Sequence, residues 1–271
     1  MAKSDTVVVE KKALGIGSAT IALVTMNRPA EMNPLDWDTV HRLDTVFSEL
    51  ASEPSVRVVA VTGAGSAFSA GGDMKKYQTL QRNPKDFPQF LADIHAMFGR
   101  IAHYPKPYVA LVNGVAVAGG IELILSCDLA IAAESARIGD AHLPFGQMGG
   151  GGVLTMLPRA VGPARARELI FSGRLLAPAE ALDWGLVSKV VPDADLVEAG
   201  IAFAKDVAKK SPLAVGNAKR VLNAAFEEGT GVAAAMRLER EVTARYCLTS
   251  HDAHEGLQAF AEKRKPNFTG Q

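Results

Sequence analysis

Cysteine is scarce in this chain: Cys127 and Cys247 are the only two, far apart and without paired spacing. That argues against a disulfide framework and a cysteine-ligated zinc site, and makes a reducing compartment the default. Net charge is missing as well. The 29 Lys and Arg cancel the 29 Asp and Glu, and the basic residues are scattered, so there is no electrostatic footprint for neutralising nucleic-acid phosphates. Any bound anion must be held locally. No apolar run reaches the roughly 18 residues of a membrane span. The opening MAKSDTVVVEKK lacks the uninterrupted apolar core of a secretion signal. The expectation is a cytoplasmic protein with no nucleic-acid or membrane partner. Low-complexity segments and clean short repeats are absent too.

What is present is enough apolar material for one large core with room for a smaller appendage: 48% of 271 residues are hydrophobic. Short β-branched runs alternate with amphipathic stretches, which indicates an α/β class. Strands are expected at 6–11, 20–26, 57–62, 108–113 and 129–132, with helices at about 35–50, 88–101 and 120–127. After Gly152 the strands nearly stop, and from Asp195 onward strong helix formers dominate. Residues 1–197 are therefore expected to form a β-rich core and 198–271 a helical C-terminal region. The charged stretch 75–85 holds few apolar residues and contains Pro84, so it reads as a mobile surface segment.

Two glycine pairs carry the chemistry. The first lies in TGAGSAFSAGGDMK, directly after an apolar strand. Gly63-x-Gly65 suggests a dinucleotide turn, but Phe68 stands where the third glycine belongs. The serine at 69 sits in a relaxed nucleophile elbow, with Asp183 and His251 as nominal partners that nothing nearby singles out. A plain turn is the bland alternative. The second pair, Gly119-Gly120 in NGVAVAGGIELILSCDLAIAA, again follows an apolar strand and opens a helix at once. Free N–H groups at a helix start carry partial positive charge, and glycine lets a ligand oxygen approach the main chain. Two such turns converging on one oxygen would make an oxyanion hole. Glu122 is the one ionisable residue between Asn113 and Cys127. Burial would raise its pKa toward neutral-pH proton transfer, and a first-turn helix cap is its other reading.

MNRPAEMNPL, VRVVAVTGAGSAFSAGGDMK, KPYVALVNGVAVAGGIELILSCDLAIA, LPRAVGPARARELIFSGRLLAPAEALDWGLVSKVVP and AFAEKRKPNF together resemble the signature segments of the enoyl-CoA hydratase/isomerase (crotonase) superfamily. They run in order from about 16 to 268. The resemblance implies a crotonase-like spiral core of ββα turns and a C-terminal helical trimerisation region, giving a homotrimer or homohexamer. It implies an acyl-CoA thioester as substrate, with coenzyme A part of that substrate and no separate cofactor or metal. Carried over by motif, the N–H groups of Gly72 and Gly119 hold the oxyanion and Glu122 is catalytic. Ala70, Gly71, Met74, Lys75 and Gly120 fall in segments that meet the coenzyme or acyl chain, Phe145 could line the acyl pocket, and Lys265 and Phe268 belong to a tail that completes the coenzyme pocket, sometimes of a neighbouring subunit. Lys263 and Arg264 share that tail.

The departures bear on the reaction. Where the hydratases carry a second glutamate in a G-x-P-E segment, this chain reads Gly139-Asp140-Ala141-His142. An imidazole titrating near neutrality serves as acid or base, so His142 is the variable catalytic partner, with Asp140 placed to orient it or to cap a turn. Hydration or isomerisation through a thioester enolate is the first reading. Retro-Claisen hydrolysis of a (cyclic) β-ketoacyl-CoA by His142 is the alternative, and a non-catalytic acyl-CoA binder is a third. Residues 149–152 are four glycines beside Phe145 and Met148, so this loop would either admit a close ligand or flex. Ala30 and Glu31 stand where a basic residue often follows the family's NRP.

Overall fold

The computed structural model describes residues 5–226 and 230–271. Its first half runs β1 (Val7–Ala13), β2 (Thr20–Met26), α1 (Trp37–Ser52), β3 (Val56–Gly63), β4 (Ala67–Ser69), α2 (Met74–Leu80), α3 (Asp86–His103), β5 (Tyr108–Val112), β6 (Val115–Val117) and α4 (Gly119–Ser126). The second half holds β7 (Leu129–Ala133), β8 (Arg137–Gly139), α5 (Val153–Val161), α6 (Pro163–Ser172), α7 (Pro178–Asp183), β9 (Lys189–Val191), α8 (Leu196–Ala208), α9 (Pro212–Phe226), α10 (Val232–Thr249) and α11 (His251–Ala261).

Side chains alternate across an extended strand, and here both faces are buried. In β3, Val59 and Val61 join one core cluster while Val58 and Ala60 join another; in β5, Tyr108, Ala110 and Val112 oppose Val109 and Leu111. The large sheet runs β1-β2-β3-β5-β7-β9, parallel except for the antiparallel β1–β2 pair. Leu43, Phe47, Ile94 and Ile101 of α1 and α3 fill one cluster, and Ile201 and Ala204 of α8 the other. A second sheet, β4-β6-β8, is small and wholly parallel.

The chain winds through the two sheets in step. Each of β3, β5 and β7 is followed within a few residues by one strand of the small sheet. The three short strands then release the chain side by side at Gly71-Gly72, at Ala118-Gly119 and at Asp140–His142. Because Ser69 is registered on Ala116 and Val117 on Gly139, segments far apart in sequence emerge together.

Residues 75–85 lie at the surface as expected, none of them buried, but α2 gives their first half regular structure. The Asp73 carboxylate accepts the N–H groups of Lys75 and Lys76 as an N-cap, and the Tyr77 ring packs edge-on against Phe87 and Phe90. α1 starts at Trp37, two residues later than expected, because Asp36 caps it through the N–H of Thr39. Lys219 of α9 ties the helical region to the core. Its buried ammonium donates to the carbonyls of Ile101 (2.7 Å) and Lys106 (3.0 Å) and pairs with Asp128 at 2.8 Å. The C-terminal tail folds back on α11: Asp252 accepts the N–H groups of Thr269 and Gly270, and the Phe268 ring lies beside Gly256. Among the described residues no helix is long and apolar enough to cross a membrane.

Candidate active site

A cavity of about 770 Å³ opens where the small sheet ends. The first glycine pair is strapped there by the 26–35 segment: the Ala70 N–H donates to the Met32 carbonyl and the Leu35 N–H to the Gly71 carbonyl. Asn33, buried, donates from Nδ2 to the carbonyls of Ala64 and Ala67. Gly71 needs its φ of +83°, and a Cβ on it would fall 2.6 Å from Ala118 Cβ and 2.9 Å from the Gly119 nitrogen. The two glycine turns are therefore in direct contact. Neither the Gly72 nor the Gly119 N–H is donated to any described group. Ala118, at φ +51° and ψ −120°, turns the chain sharply into α4, the kind of strained backbone that persists where surrounding structure enforces it.

Glu122 follows one turn into α4 and is 4% exposed. Its Oε1 accepts the N–H groups of Gly151 (2.8 Å) and Val153 (3.3 Å), so it caps the start of α5 rather than its own helix. No described residue bonds to Oε2. Burial raises the carboxyl above its ordinary value, against the pull of the His142 charge and the two amides.

His142 arrives from β8 through Ala141, whose φ is +53°. Its Nδ1 lies 2.6 Å from Asp140 Oδ1, which leaves Nε2 as the free ring nitrogen. Burial alone would lower the imidazole, but the hydrogen bond and charge of Asp140, with the charge of Glu122, raise it above 6.5 overall. Asp140 is 1% exposed, and its Oδ2 has no partner. Glu122 and His142 meet at Gly149: a Cβ there would stand 3.1 Å from Glu122 Oε1 and 3.4 Å from His142 Cε1. The glycine run is thus bare backbone between the two titrating groups.

Of the residues singled out in the sequence, Ala70, Gly72, Met74, Lys75, Gly119, Glu122, His142 and Phe145 line the cavity. Gly71 and Gly120 stand behind that wall; a Cβ on Gly120 would strike the Ser69 carbonyl at 2.4 Å. Lys265 and Phe268 lie on the tail, outside the cavity of a single chain. Ser69 is no nucleophile here: it is fully buried, donates to the Asn33 carbonyl and accepts the Gly71 N–H. Asp183 pairs instead with Arg165. Sequence reasoning missed the amides of Gly151 and Val153, since main-chain donors leave no side-chain signal. It also missed Tyr77, the one aromatic residue within the charged stretch 75–85.

Paired unshared N–H groups beside a buried carboxylate and an aspartate-held imidazole, all delivered by a two-sheet spiral, define an enzyme of the crotonase fold. The family model described as Enoyl-CoA hydratase/isomerase matches residues 17–271. A probable enoyl-CoA hydratase of Mycobacterium bovis is 34% identical over 265 residues, 98% of each chain. The mitochondrial enoyl-CoA hydratase of Pongo abelii is 34% identical over 252 residues, covering 93% of this chain and 84% of that one. A crystal structure of enoyl-CoA hydratase from Bacillus anthracis superposes with a TM-score of 0.88 at 32% identity, covering 97% of this chain and 99% of that one. The chain belongs to the enoyl-CoA hydratase/isomerase family.

Proposed function

We propose that the protein adds water across the α,β-double bond of an acyl-CoA thioester, with Glu122 as base and His142 as acid. The observation carrying this reading is the hydrogen-bonded Asp140–His142 pair facing Glu122 across the glycine run. The thioester carbonyl accepts from the Gly72 and Gly119 N–H groups, which stabilise the charge that develops on its oxygen. Oε2 of Glu122 takes a proton from water as the water oxygen bonds to C3. The double-bond electrons pass into the thioester enolate. Nε2–H of His142 then protonates C2, leaving the carboxyl protonated and the imidazole neutral until they exchange with solvent. The direction of both shifts suits the tasks, since a raised imidazole keeps its proton to higher pH and a raised carboxyl is a stronger base once ionised.

The same Asp140–His142 pair favours a second reading, in which neutral His142 activates water against a β-keto group and the enolate leaves as the carbon–carbon bond breaks. Hydration of crotonyl-CoA, followed by loss of its enoyl-thioester absorbance, separates the two. Glu122→Gln and His142→Ala should each lose about 10²–10⁴-fold in rate. Wild-type protein that binds coenzyme A thioesters calorimetrically without hydrating crotonyl-CoA would sink the hydratase reading.

Assembly is part of the proposal. Leu222, Phe226, Met236, Leu248, Leu257 and Phe260 expose apolar side chains along α9, α10 and α11, more than a monomer usually leaves open. A homotrimer or homohexamer would cover them and bring Lys265 and Phe268 to the coenzyme of a neighbouring subunit.

A further inference from the structure

Of the residues that α2 and α3 give to the cavity wall, all are apolar but two: Lys75, which is exposed, and Tyr77. α3 contributes Phe87, Leu91 and Ile94, and among them stands the phenol of Tyr77 from α2. Its ring is fixed by two edge-on contacts, with centroids 5.8 Å from Phe87 and 5.7 Å from Phe90. The helix beneath it is tethered, because Lys76 pairs with the buried Asp36, which Arg28 also holds. The ring lies against the oxyanion turn: a Cβ on Gly72 would fall 2.8 Å from Tyr77 Cε2 and 3.2 Å from Cζ. The buried Tyr108 hydroxyl donates to the Phe47 carbonyl at 2.6 Å, whereas the Tyr77 hydroxyl has no partner among the described residues. Burial and the charge of Glu122 push its pKa up to about 12, so it remains a donor across the working pH range.

A fixed, unpartnered donor in an apolar wall has a definite consequence. A bare hydrocarbon acyl chain packed against it displaces water and leaves the hydroxyl unsatisfied, which costs binding. A site built this way rejects the analogue lacking the matching oxygen. We propose that Tyr77 is a specificity-determining residue that selects acyl groups bearing a hydrogen-bond-accepting oxygen beyond the thioester, such as a ring ketone, over plain enoyl chains. This rests on the acyl-CoA reading of the cavity and names the class of acyl group within it.

The test compares 3-cyclohexylacryloyl-CoA with its ring-keto derivatives, in wild type and Tyr77→Phe. For at least one keto isomer, wild type should show a kcat/KM about tenfold or more above the hydrocarbon parent, and Tyr77→Phe should reduce that ratio about tenfold, the scale of one hydrogen bond. The ratio cancels any general loss of folding or packing in the variant. No preference for any keto isomer, or a preference that survives Tyr77→Phe, overturns the proposal. Should wild type turn over none of these thioesters, the hydration reading fails separately. Calorimetric binding of the saturated parent and its keto derivatives then reads the same ratio, and equal affinities would overturn the role of Tyr77.

Discussion

Replacing Asp140 with Asn should move the alkaline limb of the hydration pH profile toward acid by about one to two units. The change is isosteric and keeps an oxygen to accept from His142 Nδ1, but removes the charge now 2.6 Å away. A hydrogen bond to a charged group contributes about 1.5–3 kcal/mol, and one pKa unit corresponds to about 1.4 kcal/mol. In the wild type, kcat/KM rises as Glu122 ionises above 4.5 and falls as His142 loses its proton above 6.5, both values being raised. The second limb should move most, because the Asp140 charge acts on Glu122 only as the weakest of the influences on its raised value. Stability gives an independent reading. A histidine raised on folding stabilises the native state fully below its unfolded pKa, and that contribution disappears as pH rises through the folded value. The Tm deficit of Asp140→Asn should therefore be larger near about pH 6 than near about pH 9. An unmoved alkaline limb, or a rate that climbs through the imidazole titration in wild type, would refute His142 as the acid and favour water activation by the neutral ring.

Gly71→Ala should separate the two glycine turns, because its methyl would lie 2.6 Å from Ala118 Cβ at a φ of +83°. A kcat loss of about 10²-fold or more, the scale of one oxyanion donor, is expected together with a lowered Tm from the strained backbone; near wild-type kcat in the folded variant would contradict the contact. Lys219→Met should destabilise the fold by about 2–3 kcal/mol in urea unfolding. That is less than the full penalty for a severed buried pair, because Asp128 keeps some contact with solvent.

The parts of the fold legible in the sequence are those with enough residues to show a period. β2, β3 and β5 are runs of Val, Ile, Ala and Leu, and the structure places them close to where those runs fall. The strands of the small sheet have three residues each, too few to show alternation. α2 buries no residue fully, so its pattern looks like surface. At the site, glycine pairs and a solitary glutamate stand out because few other residue types suit those positions. What fixes Glu122 is main-chain N–H from 29 residues away, and what raises His142 is a neighbour whose orientation depends on a left-handed Ala141. The main-chain donors and the left-handed turn have no one-letter signature, whereas Asp140 itself is legible as a residue able to orient His142.

The three-strand sheet also divides the labour of the enzyme. In the proposed mechanism the cradle for the thioester leaves β4 and β6, Glu122 follows on the helix after β6, and the Asp140–His142 pair leaves β8 on its own turn of the spiral. The Asp140 carbonyl accepts the Ala118 N–H at 2.8 Å, so the main chain at this exit also holds the second glycine turn, and it is the side chains of 140–142 that can vary without touching it. A scaffold wired this way is a reusable chassis: under the proposed mechanism, the side chains at one exit set the proton chemistry while the main chain at the other two holds the thioester.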